Sequence, residues 1–211
     1  MMITIALPKG RLGEEAEDIL IKSGILKKKI PQDSRKLIFE IGTDMKILLV
    51  RAQDVPTYVE MGTADIGIAG KDVLIEHSSD VFELADMKIG YCKMTVAAKK
   101  GVNREELFAK DFLKVGTKYP SIAKKFFSNI STQSEIIKLY GSVELGAVTG
   151  MSECIVDIVS TGGTLKENGL DVVEELFEST ARLICNRSSY YRELDKIEEI
   201  KAAVIKTVTG A

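Results

Sequence analysis

The run Asp157-Ile158-Val159-Ser160-Thr161-Gly162-Gly163-Thr164-Leu165 holds more usable chemistry than any other stretch of the chain. An apolar approach from Cys154 to Val159 delivers a carboxylate, and a short loop of hydroxyls and glycines follows. Glycine lets backbone N–H groups come close to a ligand. Thr161 and Thr164 add hydroxyl donors beside a brief helix that the sequence predicts over 165–169, closed by Gly169. This combination suits a phosphate monoester, with Asp157 placed to accept hydrogen bonds from a sugar hydroxyl. An ordinary strand–turn–helix connection is the other reading. No Gly-Lys-Ser/Thr follows the glycines, so the loop is not of the Walker type.

Cations stand beside other turn signals. Lys9-Gly10-Arg11 follows the first apolar strand, at the end where open α/β sheets place their ligands. Arg11 can grip a phosphate through two parallel hydrogen bonds and Lys9 can add a point charge. A solvated pair ahead of a helix would read the same way. Ser34-Arg35-Lys36 opens a later strand and Arg51 closes the hairpin that follows. Several arginines aimed at one place would suit a pyrophosphate. Gly116-Thr117-Lys118-Tyr119-Pro120-Ser121 is a further strand-to-helix junction, either anion-binding or simply a capped helix start. Glu144 enters a first helical turn, where it either offsets the helix dipole or holds a second sugar hydroxyl opposite Asp157.

The elements that must carry these residues alternate. The pattern predicts a strand over 3–7, a helix on the face Leu12, Ala16, Ile19 and Leu20, and a hairpin of strands 36–41 and 45–50. Asp54 is expected to cap a helix starting at Val55-Pro56, followed by a strand over 65–70 and a short helix over 71–76. A second series places strands at 89–98, 112–116, 135–139, 154–159, 172–177 and 182–186. Helices are expected after Pro120 and over 142–149, with one charged terminal helix over 190–208. This alternation argues for α/β architecture with mixed, mainly parallel sheets. Asp65 precedes Gly70 as Asp157 precedes Gly162, five residues apart in each case, a faint sign of two similar lobes.

Bulk properties narrow the function. At 211 residues the chain makes one large domain or two small lobes, and 45% hydrophobic with 28% charged residues is ordinary for a globular protein. A net charge of −2 gives no electrostatic footprint for nucleic acid or an anionic membrane. Cys92, Cys154 and Cys185 form no CxxC pair and read as buried free thiols. No apolar stretch approaches a membrane span and the N-terminus leads into a strand, so the expected compartment is the cytoplasm. His77, the one histidine, excludes a multi-histidine metal site and reads as a solvated residue in a polar turn. Any catalysis must run on arginine, lysine, carboxylates and backbone dipoles, with any metal carried by the substrate.

Taken in order, these segments resemble the ATP phosphoribosyltransferases. The resemblance rests on Pro8-Lys9-Gly10-Arg11-Leu12, Ser34-Arg35-Lys36-Leu37, Arg51 with Asp54-Val55-Pro56-Thr57-Tyr58, and Ala64-Asp65-Ile66-Gly67. Thr117-Lys118-Tyr119-Pro120, Gly141-Ser142-Val143-Glu144-Leu145 and the stretch from Asp157 to Leu170 continue it. The length is similar to the short form of that family, which lacks a C-terminal regulatory domain. The resemblance implies a two-lobed fold like a type II periplasmic binding protein, with an interlobe cleft. Its lobe I would comprise 1–87 plus 180–211, and lobe II 88–179. The implied reaction joins phosphoribosyl pyrophosphate to N1 of the adenine of ATP, releasing pyrophosphate, as the first step of histidine biosynthesis. By motif, Ser160, Thr161, Gly162, Gly163, Thr164 and Leu165 would cradle the 5-phosphate, while Asp157 and Glu144 hold the ribose. Arg11 and Arg35 would hold pyrophosphate as the catalytic pair, with Lys9, Gly10 and Arg51 near the substrate phosphates. Mg²⁺ would arrive on the substrate, with no protein metal ligands. The implied partners are a histidyl-tRNA-synthetase-like regulatory subunit and a second copy of the chain, in a hetero-oligomer. Gly146-Ala147 stands where the family has Ala-Pro, and Ser152-Glu153-Cys154 where Ala-Asp-Ala is common. The alternatives are a phosphoribosyltransferase that uses the same loop with another nucleophile, and a non-enzymatic two-lobed small-molecule binding protein.

Overall fold

In a computed structural model, residues 2–31 and 35–210 are described. The strands are β1 Ile3–Pro8, β2 Ile38–Ile41, β3 Met45–Val50, β4 Ile66–Gly70, β5 Phe82–Asp86, β6 Cys92–Lys99, β7 Phe112–Thr117, β8 Gln133–Lys138, β9 Cys154–Val159, β10 Leu170–Ser179 and β11 Ala181–Cys185. The helices are α1 Arg11–Lys22, α2 Val55–Glu60, α3 Lys71–His77, α4 Arg104–Phe108, α5 Pro120–Asn129, α6 Glu144–Val148, α7 Gly163–Glu167, α8 Arg187–Arg192 and α9 Leu194–Thr209. The chain divides into two compact units. One holds the residues up to Tyr91 and those from Thr180 onward; the other is Cys92–Ser179.

The first unit is built on the sheet β2-β3-β1-β4-β11-β5. Alternation decides which side chains go where. Ile3, Ile5 and Leu7 of β1 face a core shared with Ala16, Ile19 and Leu20 of α1 and Ile197, Ile200 and Val204 of α9. Ala6 faces the other way, toward Val55 and Val59 of α2. That second layer presses close: a Cβ on Gly67 would lie 2.6 Å from Val59 Cγ2 and 2.8 Å from Val55 Cγ1, so only glycine fits there.

The second unit is built on the sheet β10-β6-β9-β7-β8. Ala97 of β6 and Ile155 of β9 are register partners. They share a core with Val143 and Ala147 around α6, Leu165 of α7, and Leu170. Both short helices therefore lie on one face of this sheet, beside the end of β9.

Several expectations are corrected. Among the described residues, five of the nine strand pairings are antiparallel, so the sheets are mixed rather than mainly parallel. The cause is the return of the chain: β11 runs back between β4 and β5, antiparallel to both. Positive φ at Lys88 and Gly90 interrupts the long strand expected from 89, and β6 begins at Cys92. The first crossing accordingly falls after Tyr91 rather than after 87, because Met87 N–H and Ile89 C=O still bond to Ala181. Asp54 makes no side-chain cap; a 3₁₀ turn, Ala52–Asp54, runs straight into α2. The terminal helix is two helices, broken at Glu193 (φ −122°, ψ 34°). His77 ends α3 and is exposed.

Asp65 and Asp157 do not correspond. Asp65 sits just before β4, 7% exposed, where it takes hydrogen bonds from Thr4 N–H (2.9 Å), Ser189 Oγ (2.6 Å) and Arg192 (2.8 Å). Asp157 lies near the opposite end of its strand. Asp65 is a clip that ties α8 to β1 and β4, and the suggested internal repeat loses its basis.

Candidate functional site

A cavity of about 200 Å³ in the second unit gathers Glu144, Asp157, Ser160, Thr161, Gly162, Gly163, Thr164 and Leu165. Strand geometry explains the meeting. Ile155, Asp157 and Val159 share one face of β9, the face covered by α6 and α7, and Asp157 is register partner to Thr95 of β6. Asp157 is held in place: its Oδ1 accepts Ile158 N–H at 2.8 Å, and its carbonyl accepts Thr95 Oγ at 3.3 Å. Glu144 is the first residue of α6, so its side chain leaves the helix where it opens toward the loop.

The loop itself turns through Gly162, which adopts left-handed φ 75°, ψ 3° and immediately precedes α7. A side chain would strain that conformation. A left-handed residue followed by helical ones points successive N–H groups to one side, a concavity suited to an anion. The first N–H groups of a helix have no partner inside it. Two carboxylates on one wall and backbone donors with three hydroxyls on the other match a polyol carrying a phosphate.

In the first unit, a cavity of about 460 Å³ is lined by Lys9 and Arg51 together with Leu37, Ile38, Leu48, Val50, Asp54 and Tyr58. Parallel pairing of β1 with β3 brings the two cations together, since Pro8 is register partner to Val50 and Lys9 N–H bonds Val50 C=O at 2.8 Å. Gly10, at φ 84°, turns the chain from β1 into α1. Arg11 and Arg35 line neither cavity. Arg11 is solvent-exposed and approaches Glu15 at 3.5 Å, one helical turn along; Arg35 lies exposed ahead of β2. Ser34 falls outside the described residues. Thr117 turns inward, donating to Val156 C=O (2.6 Å) and accepting Tyr119 N–H (2.8 Å), so it shapes the start of α5.

Sequence reading missed Thr95 and Ala97 in the first cavity and Leu37, Ile38 and Tyr58 in the second. Thr95 carried a signal, a hydroxyl in an otherwise apolar strand. The exposure of Leu37 (47%) and Ile38 (51%) is visible only in the fold. A third cavity, about 290 Å³, lies at the other end of the first sheet, between Ile3, Asp44, Met45, Lys196 and Glu199; none of the sequence candidates reaches it. Among the described residues, no group of three His, Cys, Asp or Glu could hold a metal, and no helix is long and apolar enough to cross a membrane.

The chain is similar to known proteins. Residues 51–206 match the HisG family, ATP phosphoribosyltransferase. An ATP phosphoribosyltransferase of Caldanaerobacter subterraneus subsp. tengcongensis is 46% identical over 210 residues, covering 99% of both chains. One from Caldicellulosiruptor saccharolyticus is 50% identical over 190 residues, covering 89% of this chain and 90% of its own. Among solved structures, the ATP phosphoribosyl transferase (HisG:HisZ) complex from Thermotoga maritima superposes with a TM-score of 0.87 at 31% identity, with full coverage of both chains. An arginine-bound ancestral arginine-binding protein gives 0.60 at 14% identity, over 97% of this chain and 91% of that one, a likeness of fold alone. The expected α/β binding-protein architecture is therefore borne out. The chain belongs to the ATP phosphoribosyltransferase family.

Proposed function

We propose that the chain transfers the phosphoribosyl group of phosphoribosyl pyrophosphate to N1 of the adenine of ATP, the first step of histidine biosynthesis. The observation that carries the site assignment is the meeting of Glu144 and Asp157 with the Ser160–Leu165 loop in one cavity. At about 200 Å³ it is smaller than the roughly 300–1,000 Å³ typical of pockets for drug-sized ligands, which suits one sugar phosphate. The loop N–H groups and the hydroxyls of Thr161 and Thr164 hold the 5-phosphate, while the two carboxylates accept hydrogen bonds from the ribose hydroxyls.

The N1 lone pair forms a bond to the anomeric carbon as the C–O bond to pyrophosphate breaks, with its electron pair leaving on oxygen. A ring nitrogen with a free lone pair needs no protein base, in keeping with a chain that has one histidine. Arg11 and Arg35 meet the charge that grows on the leaving group. Lys9 and Arg51 take the ATP phosphates, with the adenine ring against Tyr58, Leu37 and Ile38. Glu144 and Asp157 are hard oxygen donors, too few for a resident ion but fit to share one carried by the substrate. Mg²⁺ there would neutralise diphosphate charge. We place the enzyme in the cytoplasm, as a dimer within a hetero-oligomer completed by a histidyl-tRNA-synthetase-like subunit; the HisG:HisZ complex supports that reading.

The test is pyrophosphate release with each substrate omitted in turn, plus mass analysis of the product. The reading requires both substrates and a product of ATP plus one phosphoribosyl group. Release with another base but not with ATP would overturn it.

A further inference from the structure

Beneath α6, Ser152 is 4% exposed and its Oγ finds no hydrogen-bond partner. Buried hydroxyls are normally satisfied, so an orphan calls for a reason. Two glycines supply one. A Cβ built on Gly116 of β7 would lie 3.1 Å from Ser152 Oγ, and a Cβ built on Gly146 of α6 would lie 3.1 Å from the same atom. Leu139 Cδ1 closes the niche at 3.3 and 3.4 Å from those two positions. The Ser152 hydroxyl thus fills the space that a missing side chain leaves on the helix and another leaves on the sheet. Its own amide also donates to Gly146 C=O at 2.9 Å.

This niche lies in line with the substrate cavity. Gly116 is register partner to Ile155, and Ile155 to Ala97, so α6 rests on the row Gly116–Ile155–Ala97. Asp157 is the next residue of β9 on that same face. Glu144 is two residues before Gly146, on the first turn of α6. The depth at which α6 sits on the sheet therefore sets the distance between Glu144 and Asp157.

We propose that Ser152 is a positioning residue: interlocked with Gly116 and Gly146, its side chain fixes the depth of α6 and so aims Glu144 at the ribose of phosphoribosyl pyrophosphate. This rests on the sugar-site assignment made above and adds a determinant outside the cavity. The interlock is a matter of volume, so it is reciprocal: a methyl added on either glycine meets the Ser152 hydroxyl at 3.1 Å and crowds α6 by a few tenths of an ångström, and removing the hydroxyl relieves the tightest of its contacts.

The experiment compares wild type, Gly146→Ala, Ser152→Ala and the double variant by calorimetric titration with phosphoribosyl pyrophosphate and, separately, ATP, with thermal melts alongside. A shift of a few tenths of an ångström at a positioned group should raise the Kd for phosphoribosyl pyrophosphate about three- to tenfold in Gly146→Ala. ATP binding should stay within about twofold, and the melting temperature should change little, because alanine's preference for the helix offsets the crowding. Adding Ser152→Ala should bring the Kd back to within about twofold of wild type. Gly116→Ala, with and without Ser152→Ala, repeats the test from the sheet side. An unchanged Kd in Gly146→Ala, no rescue in the double variant, or ATP and sugar affinities falling together would overturn the proposal. A wild-type chain that binds the sugar diphosphate yet makes no phosphoribosyl-ATP would sink the proposed reaction while leaving this inference standing.

Discussion

Replacing Asp65 by asparagine should cost stability and leave catalysis alone. The two carboxylate oxygens divide their work: Oδ2 accepts Thr4 N–H at 2.9 Å, while Oδ1 accepts Ser189 Oγ at 2.6 Å and Arg192 at 2.8 Å. An asparagine has one acceptor and one NH₂. Whichever way it turns, the NH₂ meets a donor, and at least one buried donor loses its partner. Such a loss costs about 1–3 kcal/mol. The ion pair adds little, because the Arg192 side chain is 49% exposed, and an exposed pair contributes about 0–1 kcal/mol. The sum is about 1–4 kcal/mol, which for a chain of this size lowers the melting temperature by about 2–16 °C. The assay is a thermal melt beside steady-state kinetics at a temperature where both proteins stay folded. A melt within about 1 °C of wild type would refute the clip, being half the smallest shift expected. So would a rise in either substrate KM without a melt shift, which would move Asp65 into the active site.

Other outcomes follow from the same geometry. Asp157→Asn keeps the shape of the side chain but replaces charge-assisted hydrogen bonds to the ribose; it should weaken phosphoribosyl pyrophosphate binding about 5- to 30-fold by calorimetry while sparing ATP. Burial opposes ionisation of Asp86, but hydrogen bonds from Lys88 and Thr180 and the charge of Arg182 outweigh it and hold the pKa at about 2. A depressed carboxylate pKa stabilises the fold above its ordinary value near 3.8 and loses that contribution as pH falls toward about 2. Urea melts between pH 5 and 2 should therefore show a loss about 1 kcal/mol smaller in Asp86→Asn than in wild type, after allowance for solvent screening. Burial, helped by the charge of Glu153, pushes the Cys154 thiol up to about 12, and burial with Asp65 does the same for Cys185. A thiol reagent at pH 8 should leave both unmodified until urea unfolds the chain; rapid labelling of Cys154 in the active protein would contradict its packing.

Where the sequence carried its own punctuation, it could be read closely. β9 runs from Cys154 to Val159 as its apolar run indicates, because hydroxyls and glycines stop the ladder at Ser160. The cavity around Asp157 was legible for the same reason: the six residues Ser160 to Leu165 that line it are consecutive. Failures came where tertiary contacts overrode local pattern. Nothing in Lys88 announces a positive φ, yet Lys88 N–H and Nζ both bond Asp86, and that turn delays β6 to Cys92. β5 escaped notice because Phe-Glu-Leu-Ala-Asp is only half-buried at a sheet edge, with no clean alternation. Just before the break at Glu193, Arg192 bonds Asp65, a residue more than a hundred positions away and invisible to any local pattern. Gly146 and Ser152 are visible in the sequence, but their interlock is not, since it needs Gly116 from another strand.

The central claim is that the Ser160–Leu165 loop takes the 5-phosphate of the sugar diphosphate while Glu144 and Asp157 take its ribose. A crystal structure of the chain with Mg²⁺ and phosphoribosyl pyrophosphate tests it most directly. The expected density places the phosphate within hydrogen-bonding reach of the N–H groups of Gly163 and Thr164, and the ribose hydroxyls on the two carboxylates. Density for the 5-phosphate against Lys9 and Arg51, with the loop vacant, would contradict the assignment.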